Sequence, residues 1–184
     1  MAGRLVLGLD PGFANIGWAL VEVGPKTEAP ISIGIIRTEK RDRKGKIRIT
    51  SDDHRRGKKI AENLRGLFEK KPVIVCAEAL SYPRRASIAA KLGRVWGIID
   101  CLSQSVGVPV IEASPMDLKL AVTGSKTASK EEVIESLLTR YPGNKAIQEF
   151  QLDVAKSYWE HGFDALGSVV ACLESTEMQM LRRL

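Results

Sequence analysis

Residues 4–23, RLVLGLDPGFANIGWALVEV, contain two short apolar runs on either side of a turn. The run from Leu5 to Leu9 has the continuous apolar character and length of a buried β-strand, and Trp18 to Val23 predicts a second strand. Pro11-Gly12 marks the reversal between them. Asp10 therefore stands at the mouth of a predicted hairpin. It either takes part in chemistry there or only hydrogen-bonds the turn amides, as Asp before Pro-Gly often does.

Further apolar runs extend this pattern along the chain. Strands are predicted at Ile31 to Thr38, at Val73 to Glu78, where the run again ends in an acid, and at Val108 to Ile111. Helices are predicted from a cap at Asp52 or Asp53 to near Pro72, from Ala86 to Ser105, from Ser114-Pro115, from Ser129, and from Gly162 to about Leu181. The order predicts an α/β fold: a mixed five-stranded sheet, three antiparallel strands and then parallel strands, with helices on both faces.

Length and composition set bounds on the class of protein. A chain of 184 residues is long enough for one good core and short for two, so residues 1–184 are predicted to form a single domain. The chain lacks the roughly 18 consecutive apolar residues that cross a bilayer, and its first strand is too interrupted for a signal peptide. We therefore expect no membrane partner and a cytoplasmic location. Cys76, Cys101 and Cys172 lie far apart in apolar contexts, which predicts reduced core residues.

The positive charge is concentrated in one segment. Residues 37–59 carry eleven Lys or Arg against four acids, whereas the rest of the chain carries 17 bases and 18 acids. Such a concentration favours a polyanionic partner through counterion release and electrostatic steering. The alternative is a solvated loop followed by a soluble helix face.

The third acidic site candidate lies at the start of the last predicted helix. His161 and Asp164 are three residues apart, so on a helix they share one face. Beside the strands that end in Asp10 and Glu78, they would complete a cluster of oxygen donors. Clustered carboxylates repel, and a pair of Mg²⁺ ions about 3.5 to 4 Å apart would neutralise them while supporting phosphodiester cleavage. The alternative for His161 and Asp164 is capping of the helix.

These motifs, in this order, resemble those of a known family. Gly8-Leu9-Asp10-Pro11-Gly12, Glu78 after its strand, and His161-Gly-Phe-Asp164-Ala-Leu166 are similar to the RuvC-type Holliday junction endonucleases of the RNase H-like, or retroviral integrase, superfamily. The resemblance covers nearly the whole chain. It implies an RNase H-like fold and a homodimer that binds a four-way DNA junction and nicks it in pairs.

The resemblance also implies roles for single residues. Asp10, Glu78 and Asp164 would be catalytic ligands of Mg²⁺, two ions per site, with Mn²⁺ as a possible substitute. His161 would stand at the fourth position, either as a ligand or as an activator of water.

Other residues would contact DNA. Lys119 and Lys130 match two functional lysines of the family and would hold phosphates or steady charge on the scissile one, with Lys126 nearby. Tyr82 is the candidate for an aromatic side chain that stacks on an unpaired base, beside Arg84 and Arg85 on backbone phosphates; packing within the loop is the alternative for Tyr82. The helix from Ala86 to Ser105 would be the dimer contact.

The expected function is therefore a structure-selective, metal-dependent endonuclease that resolves Holliday junctions in DNA recombination and repair. Two alternatives remain open at this point: a related RNase H-like nuclease that acts on flaps or RNA–DNA hybrids, and a catalytically silent junction-binding module. The resemblance also leaves room for a branch-migration motor as a partner.

Overall fold

The computed structural model describes residues 3–41, 48–79 and 83–183. Its five strands are β1 (Arg4–Asp10), β2 (Asn15–Val23), β3 (Glu28–Arg37), β4 (Ile74–Glu78) and β5 (Val110–Ala113). They form one sheet in the order β3-β2-β1-β4-β5. The first three strands are antiparallel, and β4 and β5 run parallel to β1, so the predicted sheet is confirmed.

Helices cover both faces of this sheet, as predicted. Those in the described ranges are α1 (Ile49–Phe68), α2 (Ala86–Val106), α3 (Pro115–Thr123), α4 (Lys130–Arg140), α5 (Lys145–Asp153), α6 (Trp159–Cys172) and α7 (Thr176–Arg183), with a 3-10 turn at Lys156–Tyr158. α1 and α2 pack on one face, and the core of the opposite face is built around α6. None of these helices combines the length and the apolar character that a membrane span requires.

Side chains of β1 alternate between the two faces of the sheet, so this strand contributes to both hydrophobic cores. Val6 points into the core on the α6 side, whereas Leu7 and Leu9 point into the core under α1 and α2. The second core is completed by Ile60 and Leu64, one helical turn apart on α1, and all of these side chains are fully buried. Burial of each stabilises the fold by about 1.5–3 kcal/mol.

Two helix starts follow the sequence closely. Ser114 before α3 and Ser129 before α4 each form a capping box with the acid three residues later.

Other boundaries differ from the prediction. α1 begins at Ile49, with Arg48 as its N-cap, because the carboxylate of Asp52 binds Arg55 instead of capping the helix. The predicted helix from Gly162 to about Leu181 is wrong as one element. It ends at Cys172, and Ser175 accepts a hydrogen bond from the Met178 N–H at the start of α7.

Two further findings depart from the sequence analysis. α5 was not predicted; it is capped by Asn144, whose side chain accepts a hydrogen bond from the Ile147 N–H. Cys101 is exposed, because it lies on the outward face of α2, so the prediction of a core residue is wrong there. Cys76 and Cys172 are buried as expected.

The backbone of α6 lies directly against the β1–β2 hairpin. A Cβ atom added to Gly8 would overlap the Ala165 carbonyl oxygen, and one added to Gly17 would overlap the carbonyl oxygen of His161. Glycine at both positions therefore permits a backbone-to-backbone approach that brings the first turns of α6 to the end of β1.

Substitution of Gly17 by Ala is expected to destabilise the protein by about 1–3 kcal/mol, because the added methyl group must push α6 away from the sheet. Urea unfolding measures this loss. Gly66→Ala is the matched control: Gly66 lies in α1, and a methyl group added there would have no neighbour within 4 Å, so alanine should stabilise the helix by up to about 1 kcal/mol. Equal effects of the two substitutions would contradict the close-approach explanation.

Candidate active site

The acids at the ends of β1 and β4 are adjacent because of the strand register. Leu9 pairs with Ala77 in the parallel ladder, so Asp10 and Glu78 follow side by side at the same edge of the sheet. Both belong to the strand positions that face α6, since side chains alternate between the two faces. The sheet therefore presents two carboxylates to the first turns of α6.

α6 contributes the third acid and the imidazole. The resulting cavity has a volume of about 340 Å³ and is lined by Asp10, Glu78, Pro115, Leu118, Lys119, Lys130, Val133, His161 and Asp164. The structure thus brings together six of the residues that the sequence analysis singled out. They come from five elements: β1, β4, α3, α4 and α6.

Both ring nitrogens of His161 have partners. Nδ1 lies 2.7 Å from Oδ2 of Asp10, and Nε2 lies 3.2 Å from the side-chain nitrogen of Asn15. An amide N–H that donates to Nε2 leaves the proton on Nδ1, which then donates it to Asp10. Coordination of a metal through His161 would require one of these contacts to break.

Asn15 is a site residue that the sequence analysis missed. It is the first residue of β2, so it lies beside the end of β1 at the edge where the acids converge. Its place just after the Asp10 turn was the available signal, but its contact with His161 depends on how α6 docks.

The carboxylates in the cavity are strongly perturbed. Burial, followed by the negative charge of Asp10, raises the pKa of Glu78 and of Asp164 to about 7 in each case. The hydrogen bond to Asp10 is the main cause that raises the pKa of His161. Perturbations of this size, from burial combined with like charge, are typical of functional sites.

The lysines differ in their surroundings. Lys130 forms an ion pair with Glu160, which is the main cause that raises its pKa. Lys119 also lines the cavity, whereas Lys126 does not and is exposed in the connection between α3 and α4. Glu160 is a second residue that the sequence analysis did not identify; it lies next to His161 in the sequence and pairs with Lys130, which lines the cavity.

The remaining predicted DNA contacts lie outside the cavity. Arg84 and Arg85 are exposed just before α2 and do not line it. Tyr82 falls outside the described residues.

The donor set fits hard divalent cations. Among residues 3–41, 48–79 and 83–183, no three His, Cys, Asp or Glu side chains are already arranged as a coordination group. Glu78 and Asp164 nevertheless share the cavity with Asp10, and burial followed by the charge of Asp10 raises the pKa of both. Carboxylate oxygens are the preferred ligands of Mg²⁺, and a cation among them would relieve this repulsion.

Comparison with known proteins gives a consistent picture. The family model described as crossover junction endodeoxyribonuclease RuvC matches residues 6–141. This range includes Asp10, Glu78, Lys119 and Lys130 and stops before α6. A relative of that name from Prochlorococcus marinus (strain MIT 9211) is 34% identical over 133 residues, 70% of this chain and 76% of the relative. One from Porphyromonas gingivalis is 31% identical over 139 residues, 75% and 68% of the two chains.

Solved structures show the same fold. Thermus thermophilus RuvC matches with a TM-score of 0.71 and 22% identity, covering 95% of this chain and 96% of that one. The same protein in complex with Holliday junction substrate matches with a TM-score of 0.74, 22% identity and 97% coverage of both chains. The yeast mitochondrial Holliday junction resolvase matches at 10% identity, with a TM-score of 0.66 and coverage of 98% and 81%. The RNase H-like fold expected from the sequence is therefore confirmed.

Replacement of a charged carboxylate in the cavity by a neutral side chain should stabilise the metal-free protein at high pH. The pKa of Glu78 rises from 4.5 to about 7 in the folded state, so this state holds its proton more tightly than the unfolded chain. Stability therefore falls as pH increases from about 4 to 7, and the loss is complete above about 7. Glu78→Gln in EDTA should be more stable than the parent protein at pH 8 by about 1–3 kcal/mol, and by much less at pH 4.

Urea unfolding at the two pH values checks this, with Glu69→Gln, an exposed acid after α1, as the control. Added Mg²⁺ should reverse the order at pH 8, because it stabilises only the protein that keeps the full set of carboxylates. A Glu78→Gln variant that is less stable than the parent at pH 8 without metal would contradict the electrostatic explanation.

Proposed function

Since the chain belongs to the RuvC family of crossover junction endodeoxyribonucleases, we propose that it resolves four-way DNA junctions by paired phosphodiester nicks in recombination and repair. The observation that carries this proposal is the convergence of Asp10, Glu78 and Asp164, from three distant segments, on one cavity. A cytoplasmic location stays a prediction from the sequence, and a branch-migration motor as partner stays a prediction of the family resemblance.

The acids would hold divalent cations, with Mg²⁺ as the proposed ion and two per site. When bound, such ions activate water and stabilise the leaving oxygen of a phosphodiester. Asp10 is the central ligand in this proposal, because the strand register places it beside Glu78 and its carboxylate contacts His161 of α6, the helix that carries Asp164.

His161 would act on the attacking water. Its Nδ1 proton is donated to Asp10, which leaves Nε2 as the atom that can accept a proton. The carboxylate of Asp10 stabilises the protonated ring, so a proton taken up at Nε2 can be held during the reaction. Asn15, 3.2 Å from Nε2, would orient the ring, and its amide must move away before Nε2 can accept that proton.

The lysines would handle the phosphates. Lys119 of α3 and Lys130 of α4 line the same cavity as the carboxylates of the sheet. Their ammonium groups can neutralise charge that develops on the scissile phosphate. We place Lys126, Tyr82, Arg84 and Arg85 on flanking DNA, where phosphate contacts and base stacking orient the junction.

We propose a homodimer through α2, which would provide the two active sites that paired nicks need. One face of α2 is buried on the sheet through Val95 and Ile99. The outward face carries Gly93, Gly97 and Cys101 at intervals of four residues, and nothing lies within 4 Å of a Cβ position on either glycine. A face of small side chains allows two copies of the helix to approach closely about a two-fold axis.

The two alternatives from the sequence analysis are not favoured. A catalytically silent module would not need three clustered acids, carboxylates with perturbed pKa values and His161 in one cavity. The relatives that match this chain are named for crossover junctions, not for flaps or hybrids.

Asp10→Asn and Glu78→Gln should bind a synthetic mobile four-way junction and fail to cut it. Loss of a metal-binding carboxylate should lower cleavage by at least roughly 100-fold, since changes even in the outer shell of metal sites cost 10- to 100-fold. Mapping of nicks in the presence of Mg²⁺ measures cleavage, and gel-shift titration in Ca²⁺ measures binding. Flap and RNA–DNA hybrid substrates at the same salt concentration test the substrate class. Undiminished cleavage by both purified variants would refute the proposed site.

A separate prediction concerns the dimer. Gly97→Glu should convert the protein to a monomer in analytical ultracentrifugation and abolish paired nicking, because the larger charged side chain blocks close helix packing. Gly66→Glu, at another open helix position, is the matched control and should leave the assembly unchanged. A dimer that survives Gly97→Glu would exclude this face of α2 as the interface.

A further inference from the structure

The basic segment 37–59 begins at the edge of the sheet that carries the active site. β3 is antiparallel to β2, and Arg37 pairs with Asn15, the residue that contacts His161. The first turns of α1 lie at the same edge, because Arg55 donates to the Glu39 carbonyl and Arg56 donates to the Thr38 hydroxyl. The described parts of the segment, Arg37 to Arg41 and Arg48 onward, therefore begin at the edge of the sheet where the candidate catalytic groups lie.

Arg56 holds the base of this segment against the turn that follows Asp10. Its side chain is only 3% exposed. Its guanidinium donates to the Thr38 hydroxyl at 3.0 Å and to the Phe13 carbonyl at 3.2 Å, and it lies 4.4 Å from the centre of the Phe13 ring. Thr38 also donates its hydroxyl to the Phe13 carbonyl, and its N–H donates to the carbonyl of Ala14. The start of the basic segment is thus fixed relative to the active-site turn.

The acids of the described segment are already paired. Glu39 lies 3.3 Å from Arg37, and Asp52 lies 2.8 Å from Arg55. Asp53 pairs with Lys91 of α2 at 3.2 Å. In contrast, the exposed side chains of Lys40, Arg41 and Arg48 form no ion pair within the described ranges of the chain. Within that part of the chain, no carboxylate neutralises their charges.

A stacked pair links this positive surface to the catalytic edge. The Arg37 guanidinium lies 4.2 Å from the centre of the Tyr158 ring and donates to the Tyr158 hydroxyl at 2.9 Å. Tyr158 precedes His161 by three residues. Arg37 keeps 47% of its side chain exposed in this arrangement, so it can contact a phosphate without leaving the ring. The positive surface therefore reaches the turn of chain that leads into His161.

We propose that Arg37, Lys40, Arg41 and Arg48 form a phosphate-binding surface, the β3 rim, that holds a duplex DNA arm leaving the active site on the side of β3. This inference rests on the proposed function, because it takes branched DNA as the substrate. A duplex presents a regular array of phosphates, about one charge per 1.7 Å of helix axis, which suits a row of exposed guanidinium and ammonium groups. Such contacts add affinity and fix the position of the arm without reading sequence.

The test compares two triple variants with equal loss of charge. Lys40→Ala/Arg41→Ala/Arg48→Ala removes the unpaired part of the β3 rim. Lys26→Ala/Lys70→Ala/Lys145→Ala removes three exposed lysines at the opposite end of the sheet, near the β2–β3 turn, the end of α1 and the start of α5. Circular dichroism and urea unfolding confirm that both variants are folded.

The measurement is the dissociation constant for a four-way junction between roughly 50 and 200 mM salt. Each lost phosphate contact reduces the magnitude of the negative slope of log K against log salt by about 0.9. The slope of the rim variant should therefore be shallower than that of the parent by about 2 to 3. The control variant should keep the parent slope. Shortening of the junction arms should weaken junction binding by the parent protein. It should affect binding by the rim variant much less, because the variant no longer contacts the arm.

The outcomes separate this inference from the proposed function. A rim variant with the parent slope and the parent sensitivity to arm length would overturn the β3 rim, and so would equal losses in the rim and control variants. Preferential binding of an acidic polypeptide over the junction, lost only in the rim variant, would also overturn it by assigning the surface to a protein. The proposed function fails on a different result, which is absence of junction cleavage by the unmodified protein.

Discussion

The candidate active site depends on the contact between the backbone of α6 and the β1–β2 hairpin. The sheet alone provides two carboxylates, because the register of parallel strands β1 and β4 places Asp10 beside Glu78. The third carboxylate and the imidazole reach them only because Gly8 and Gly17 carry no side chain where α6 passes. The positions of His161 and Asp164 therefore follow from packing at glycine, and the chemistry of the cavity follows from those positions.

This close packing has an electrostatic cost. Three carboxylates share a partly buried cavity, and the pKa values of Glu78 and Asp164 rise to about 7 as a result. Lys130, paired with Glu160, and the His161 ring, bonded to Asp10, offset part of the negative charge. The repulsion that remains would weaken the metal-free fold, and a bound cation would relieve it. A site of this kind lowers the stability of the fold for the sake of function, and the large cores on both sides of the sheet compensate for that loss.

Local signals in the sequence predicted most of the architecture. Apolar runs marked the strands, Ser114 and Ser129 marked two helix starts, and acids at strand ends marked the site. The sequence predictions failed where tertiary contacts determine the helix boundaries and the site contacts. Asp52 pairs with Arg55 instead of capping α1, and Ser175 starts a new helix inside an apolar pattern that looked continuous. The contact of Asn15 with His161 joins residues 146 positions apart and has no local signature.

The proposed chemistry requires that the side chains of residues 10, 78 and 164 bind the same divalent ions. Anomalous scattering from crystals grown with Mn²⁺ tests this requirement most directly, because it locates the metal independently of any assay. We expect anomalous peaks within about 2.0–2.5 Å of oxygen atoms from all three carboxylates. Strong peaks elsewhere on the molecule, with none in this cavity, would contradict the proposed metal site.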